Sequence, residues 1–217
     1  MKNGQKSART MTRVIIQSGN NIHFKNMANQ ATTLYRISSD NKQSVIEFWS
    51  MLQSMNVNTK NIWLDELAKR YGIDYEARHI SVRGHIYWAE YNEEDNILSI
   101  ETETAWDKSE LIEEINKVQG YPFSVSYRVC ECGCEVFYVH DEGSFFTEEC
   151  CVSSYGEPFD EACEDVFATI EDAIKEWTSK TGIEQGERTN EEMMNFINEY
   201  EYENGETYFY IYPFTFE

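Results

Sequence analysis

The chain has 217 residues, of which 41% are hydrophobic and 14% aromatic, and its formal net charge is −21. That length suits one large domain, or one domain with a small appendage, and it buries a core without disulfide or metal staples. The composition excludes a disordered chain, the lack of any long apolar run excludes a bilayer-spanning helix, and the charge disfavours nucleic acid and anionic lipid as direct partners.

The charge is unevenly spread. Residues 1–80 carry 11 Lys and Arg against 6 Asp and Glu, while residues 81–217 carry 7 against 33, so the two parts hold +5 and −26. A field of that sign attracts basic surfaces, although solubility alone accounts for many acidic surfaces. The opening MKNGQKSARTMTRV is basic but has no apolar run of the kind a secretory signal needs. The expected location is therefore cytoplasmic, with the six cysteines held as thiols.

In chain order, residues 1–30 read as a flexible segment with a short strand over 12–17 (TRVIIQ). Residues 32–37 (TTLYRI) alternate and read as a strand. A helix follows, with Asp40 as cap and Gln43 at the reciprocal position, and with Val45, Trp49, Leu52 and Met55 on one face. A second helix is expected from Thr59 to a stop at Gly72, burying Ile62, Trp63, Leu67 and Tyr71. Residues 82–91 and 97–104 read as a hairpin joined across Asn92–Asp95. In its second strand Leu98, Ile100, Thr102 and Thr104 share one face, and Glu101 and Glu103 lie on the other, wetter face.

Asp107 with Glu110 reads as a capping box for a helix carrying Leu111, Ile112, Ile115 and Val118, ended by Gly120. Residues 122–130 and 134–140 read as strands around a Glu131–Cys132–Gly133 loop, in which Gly133 supplies positive φ. Residues 141–163 read as irregular and acidic. Thr169 with Asp172 opens a helix closed by Gly182, and Thr189 with Glu192 opens another; a tyrosine-rich strand over 207–212 ends the chain. From 32 to 140 the order is βαββαβ with one added strand, which predicts an α+β domain: an antiparallel sheet with helices on one face. The expected organisation is an N-terminal segment (1–30), this domain (31–182), and a C-terminal helix–strand extension (183–217).

The run LSIETETAWDKSELIEEINKVQGYPFSVSYRV, residues 98–129, resembles the YubB-type ferredoxin-like domain of plasmid- and phage-borne proteins. The matching pieces are Thr104–Ala105–Trp106, the short helix after it, Tyr121–Pro122, and Gly133–Cys134–Glu135–Val136. Residues 61–91 are similar to the part that precedes this block in related phage proteins. The resemblance covers about half the chain. It implies a ferredoxin-like fold and a mobile element in a bacterial host cell, and it transfers no catalytic residues.

Among candidate chemistries, Cys130, Cys132 and Cys134 form a CxCxC run, with Cys150, Cys151 and Cys163 downstream. These six are the ligand set for zinc if a metal is bound, but the CxxC knuckle of structural zinc sites is missing. Cys130 and Cys134 would flank the hairpin turn within disulfide reach. A Cys134–His140 dyad is disfavoured, since acidic surroundings raise a thiol pKa. His79 and His85 lack a third ligand, and no phosphate-cradling glycine loop is present. Four of the five tryptophans, Trp49, Trp63, Trp106 and Trp177, read as core.

The residues thus point away from an enzyme and a cofactor. They point to an interaction protein whose acids dock on a basic surface of a host protein, blocking a defence or nucleic-acid-handling protein by charge mimicry. The nominated contacts are Glu93, Glu94, Asp95, Glu101, Glu103, Glu148 and Glu149. The alternatives are a small cysteine- or metal-dependent enzyme, and an accessory domain whose acidity only solubilises it.

Overall fold

The computed structural model describes residues 30–217, so the strand expected over 12–17 lies outside the described residues. The first elements are β1 (Gln30–Ser38), α1 (Lys42–Ser54), β2 (Ile62–Trp63), α2 (Leu64–Arg70), β3 (Gly84–Asn92), β4 (Ile97–Ala105) and α3 (Leu111–Gln119). There follow β5 (Ser124–Glu131), β6 (Val136–His140), β7 (Cys150–Tyr155), β8 (Ala162–Phe167), α4 (Ile170–Thr181), α5 (Asn190–Asn198), β9 (Tyr208–Pro213) and β10 (Thr215–Phe216). They build a mixed α+β structure with two sheets. The larger has seven strands in the order β10-β6-β5-β1-β4-β3-β2; the smaller has three in the order β8-β7-β9. Every pairing is antiparallel except the β10–β6 pair.

Alternation fixes the faces of the large sheet. Along β1, Ala31, Thr33, Tyr35 and Ile37 are buried while Leu34 and Arg36 are half-buried. Along β4 the buried set is Leu98, Ile100, Thr102 and Thr104. Of these, Tyr35, Ile37, Leu98 and Ile100 form one core with Val45, Phe48 and Leu52 of α1, Leu64 and Leu67 of α2, and Leu111, Ile112 and Ile115 of α3. The three helices therefore cover one face, as the sequence predicts.

Part of the opposite face is covered by the small sheet. Cys130, Phe137 and Val139 of the β5–β6 hairpin join Phe146, Cys151 and Phe214 in a second apolar cluster. Phe137 stacks on Tyr212 of β9 at 4.3 Å. The chain itself ties the layers, because it leaves β9, buries Phe214, and adds β10 to the edge of the large sheet. The far face of the small sheet carries α4 and α5, with Cys150, Val152, Phe209 and Ile211 packed on Trp177, Met193 and Ile197. Four layers result: helices, large sheet, small sheet, helices.

Several local expectations are corrected. Asn41, not Asp40, caps α1, its side chain accepting from the Gln43 N–H at 3.2 Å. Residues 62–63 are a short strand on the β3 edge, so α2 begins at Leu64 and Trp63 is 52% exposed. Asn56 and Asn58, between α1 and this strand, adopt positive φ, which a helix cannot continue through. Trp106 is also 52% exposed, not core. Asp107 does not cap α3; the Ser109 hydroxyl accepts from the Leu111 N–H, and Asp107 accepts from the Tyr138 hydroxyl at 2.7 Å. The stretch 141–163, expected to be irregular, contains the strand β7 and the start of β8. Thr169 caps α4 and Thr189 with Glu192 forms the capping box of α5, as expected.

Candidate functional site

The nominated carboxylates do not converge. Glu93, Glu94 and Asp95 occupy the tip of the β3–β4 hairpin, where Asp95 accepts from the Asn92 side chain at 2.7 Å and Glu93 faces Lys42 at 3.8 Å. Glu101 and Glu103 lie on the face of β4 away from the helices. Glu103 is 3.6 Å from His85. Glu148 is 3.1 Å from Arg128, and Glu149 accepts from the Ile170 N–H at 2.9 Å, so it holds the first turn of α4.

Glu101 and Glu148 share a task. Arg36 and Arg128 lie diagonally across the β1–β5 pair, since Leu34 opposes Arg128 and Arg36 opposes Ser126. Burial lowers the Arg36 guanidinium from its ordinary range, Arg128 adds to the effect, and the carboxylates of Glu101, Glu148 and Glu90 oppose it. These acids are counter-ions to two half-buried cations. Arg36 and Glu101 also line a cleft of about 790 Å³ with Leu34, Trp88 and Glu90. It bends round the β3 edge, where the Asn58 side chain donates to the Ala89 carbonyl at 2.6 Å and accepts from the Ala89 N–H at 2.9 Å. That amide fills the positions a further strand would use, which protects the edge.

Among the acids outside that set, the densest group lies in the small sheet and its helices. Residues 150–217 hold 17 Asp and Glu against 3 Lys and Arg, whereas residues 30–149 hold 22 against 10. Glu176 on α4, Glu184 in the α4–α5 connection, Glu191 on α5, and Glu199, Glu203 and Glu206 beyond it are all exposed. Lys175 is engaged by Glu171 and Asp172, at 2.7 and 3.4 Å, and Lys180 by Asp160 at 3.5 Å. Arg188 lies over the Phe196 ring at 4.4 Å. The three cations of this segment are thus already in use, and a charge tally confined to the last third of the chain would have located the excess.

The cysteines separate into two environments because Cys150 and Cys151 are neighbours on β7 and face opposite sides. Cys150 faces the α4–α5 core, its thiol donating to the Thr169 carbonyl at 3.9 Å, and burial with nearby Glu149 and Asp172 pushes it up to about 12. Cys151 faces the large sheet, where it meets Cys130 and Cys132. The β5–β6 turn is organised by Glu131, a buried carboxylate that accepts from the N–H groups of Gly133, at 3.1 Å, and Cys134. Glu135, not Gly133, takes the positive φ. Cys130 pairs with Phe137 rather than Cys134, so the expected Cys130–Cys134 apposition is not formed.

Cys163 lies on β8 and its side chain is outside the described residues. Among the described residues no three His, Cys, Asp or Glu side chains are arranged to hold a metal. His140 stacks on Tyr127 at 5.2 Å, at the far end of β6 from Cys134, so the two form no dyad. His79 is exposed at a positive φ, apart from His85 on β3.

The acidic surroundings were expected to raise a thiol pKa. Cys132 behaves oppositely: a hydrogen bond with Cys151 holds its thiol below the ordinary cysteine range, against burial and the nearby Glu164 carboxylate. Cys151 is pushed up, by the same bond, by its bond with Cys130 and by burial. Of the two thiols, the cluster thus favours the ionised form of Cys132 over that of Cys151. Among the described residues no helix is long and apolar enough to cross a membrane. Neither family models, nor curated proteins, nor solved structures give a match to this chain.

Proposed function

We propose that this chain is a non-enzymatic, acidic interaction protein of a phage or other mobile element, which docks on a basic surface of a host protein. The sharper form is charge mimicry: carboxylates of the α4–α5 layer occupy the phosphate-binding positions of a defence or nucleic-acid-handling protein and so block it. One observation carries this reading. Residues 150–217 hold 17 acids and 3 bases, and those bases are already engaged by side chains of the same segment. Excess negative charge on an ordered scaffold steers a basic partner and makes the association strongly salt-dependent.

The mobile-element assignment rests on the YubB-type resemblance. The ferredoxin-like reading of that family is supported by the order β5-β1-β4-β3 with α1 and α3 against one face. Since β3, β4 and β5 are the second, third and fourth strands of the βαββαβ run, this is the 4-1-3-2 order.

The test is capture from bacterial lysate on the immobilised full chain at low salt. Expected is a basic nucleic-acid-binding protein that elutes as salt rises and that double-stranded DNA displaces. Recovery of no such protein, or capture indifferent to DNA, overturns mimicry. Unchanged capture by a variant in which Glu191, Glu199, Glu203 and Glu206 become Gln leaves acidity with a solubilising role only.

A further inference from the structure

The three-thiol cluster between the sheets carries an inference independent of the acidic surface. Cys130 and Cys132 are two residues apart and project to the same side of the hairpin, toward the small sheet. Cys151 comes down from β7 to meet both, its thiol hydrogen-bonding to each. The partners differ in access. Cys130 is only 5% exposed and is held on β5 opposite Phe137, whereas Cys132 is half-buried and stands in the turn beyond the strand.

We propose that Cys132 and Cys151 form an oxidation site, at which a hydroperoxide converts Cys132 to a sulfenic acid and Cys151 resolves it to a disulfide that links the two sheets. The first requirement is a thiolate, and Cys132 is the thiol whose ionised form the cluster favours. The second is a resolving thiol already in contact, which Cys151 supplies. The third is a small oxidant, because the surrounding cluster of Phe137, Val139, Phe146 and Phe214 is apolar and tightly closed.

The chemistry balances. The Cys132 thiolate attacks one peroxide oxygen, the O–O bond breaks, and hydroxide (or alkoxide) leaves, giving Cys132–S–OH. The Cys151 sulfur then attacks the Cys132 sulfur, the S–O bond breaks, its oxygen takes the thiol proton, and water leaves as the S–S bond forms. Two thiols lose two electrons and the peroxide gains two. The product closes a loop from the β5–β6 turn to β7, and so staples the large sheet to the small one.

The test uses the full chain, reduced, desalted and treated with hydrogen peroxide under native conditions, then alkylated and peptide-mapped without reduction. Expected is a Cys132–Cys151 linked peptide that forms at least about tenfold faster in the folded protein than in urea, because folding holds the two sulfurs together. Cys151→Ser should leave a Cys132 sulfenic acid that dimedone traps, and Cys132→Ser should abolish both products. Absence of the linked peptide in the folded wild-type chain overturns the proposal, as does equal linking in urea. A Cys130–Cys151 link as the dominant product also overturns it. The wild-type map decides the matter by itself if either variant fails to fold.

Discussion

The two halves of the fold treat their carboxylates differently. In residues 30–149 the acids have structural partners: Glu114 with Arg78 and Lys117, Glu113 with Lys108, Asp65 with Lys69, Glu148 with Arg128. Glu131 is buried and organises its own turn. In residues 150–217 the carboxylates outnumber cations by 17 to 3, and most point to water. A whole-chain charge of −21 hides this contrast. It is the supply of counter-charge, 10 cations for 22 acids in residues 30–149 against 3 for 17 in residues 150–217, that makes the later part the more electrostatically open.

The strongest way to break the comparison is through the core between the small sheet and α4–α5. Trp177 is fully buried, donates its indole N–H to the Tyr202 hydroxyl at 2.7 Å, and packs edge-on against Phe196 and Tyr200. Trp177→Ala is expected to cost about 3–5 kcal/mol, seen as a lower midpoint in urea denaturation. If the halves are coupled through Phe137, Tyr212 and Phe214, tertiary signals from both should be lost together. Retention of a native first half after the second has melted would show them to be separable.

Next in size is a change confined to the first half. A Cβ at Gly84 would strike the backbone carbonyl oxygen of Glu103 across the β3–β4 pair. Gly84→Ala should therefore cost about 1–3 kcal/mol by overpacking, again read from the urea midpoint. The helix cap of the second half comes after it. Thr189 accepts from the Glu192 N–H at 3.2 Å and Glu192 accepts from the Thr189 N–H at 2.8 Å. Thr189→Ala should cost about 1 kcal/mol.

These elements also show how far the sequence could be read. The cap at Thr169 and the capping box at Thr189 were legible because the residues that close them are three apart. The β3–β4 hairpin was legible because β4 alternates strictly between core and solvent. The strand β7 was not. Cys150 and Val152 meet the α4–α5 core while Cys151 meets the large sheet, so both faces are covered and the alternation that marks a half-buried strand vanishes. The exposed Trp63 and Trp106 were misread because residue type alone favours burial.

The candidate site was legible only as a total. The sequence reports an excess of acids in its later part, but folding decides which are neutralised: Glu148 by Arg128 across the sheet, Glu149 by the first turn of α4. The pairing of Cys132 with Cys151 was hidden for the same reason, since β7 reaches the β5–β6 turn through sheet packing and not through a local motif.

The smallest expected effects are pH-linked, with one group in each half. At Asp141 burial acts to raise the carboxyl pKa, but the N–H groups of Phe146 and Gly143 outweigh it and hold the group below its usual range. At Glu192 the Thr189 cap has the same lowering effect. A depressed folded pKa means that the stabilisation is complete above the unfolded value, about 4, and is lost as pH falls through the folded value. Asp141→Asn and Glu192→Gln should each flatten the loss of thermal stability below about pH 4 and leave a smaller pH dependence than the wild type.

The most direct measurement is binding of the full chain to poly-lysine across a salt series, for two matched variants. In one, Glu191, Glu199, Glu203 and Glu206 of the last layer become Gln; in the other, Glu66, Glu76, Glu93 and Glu94 of the first half do. The account predicts a clearly larger loss of affinity, and a shallower salt slope, for the last-layer variant. Equal losses from the two variants would contradict it, because the carboxylates would then act as a diffuse total and not as a surface belonging to one layer.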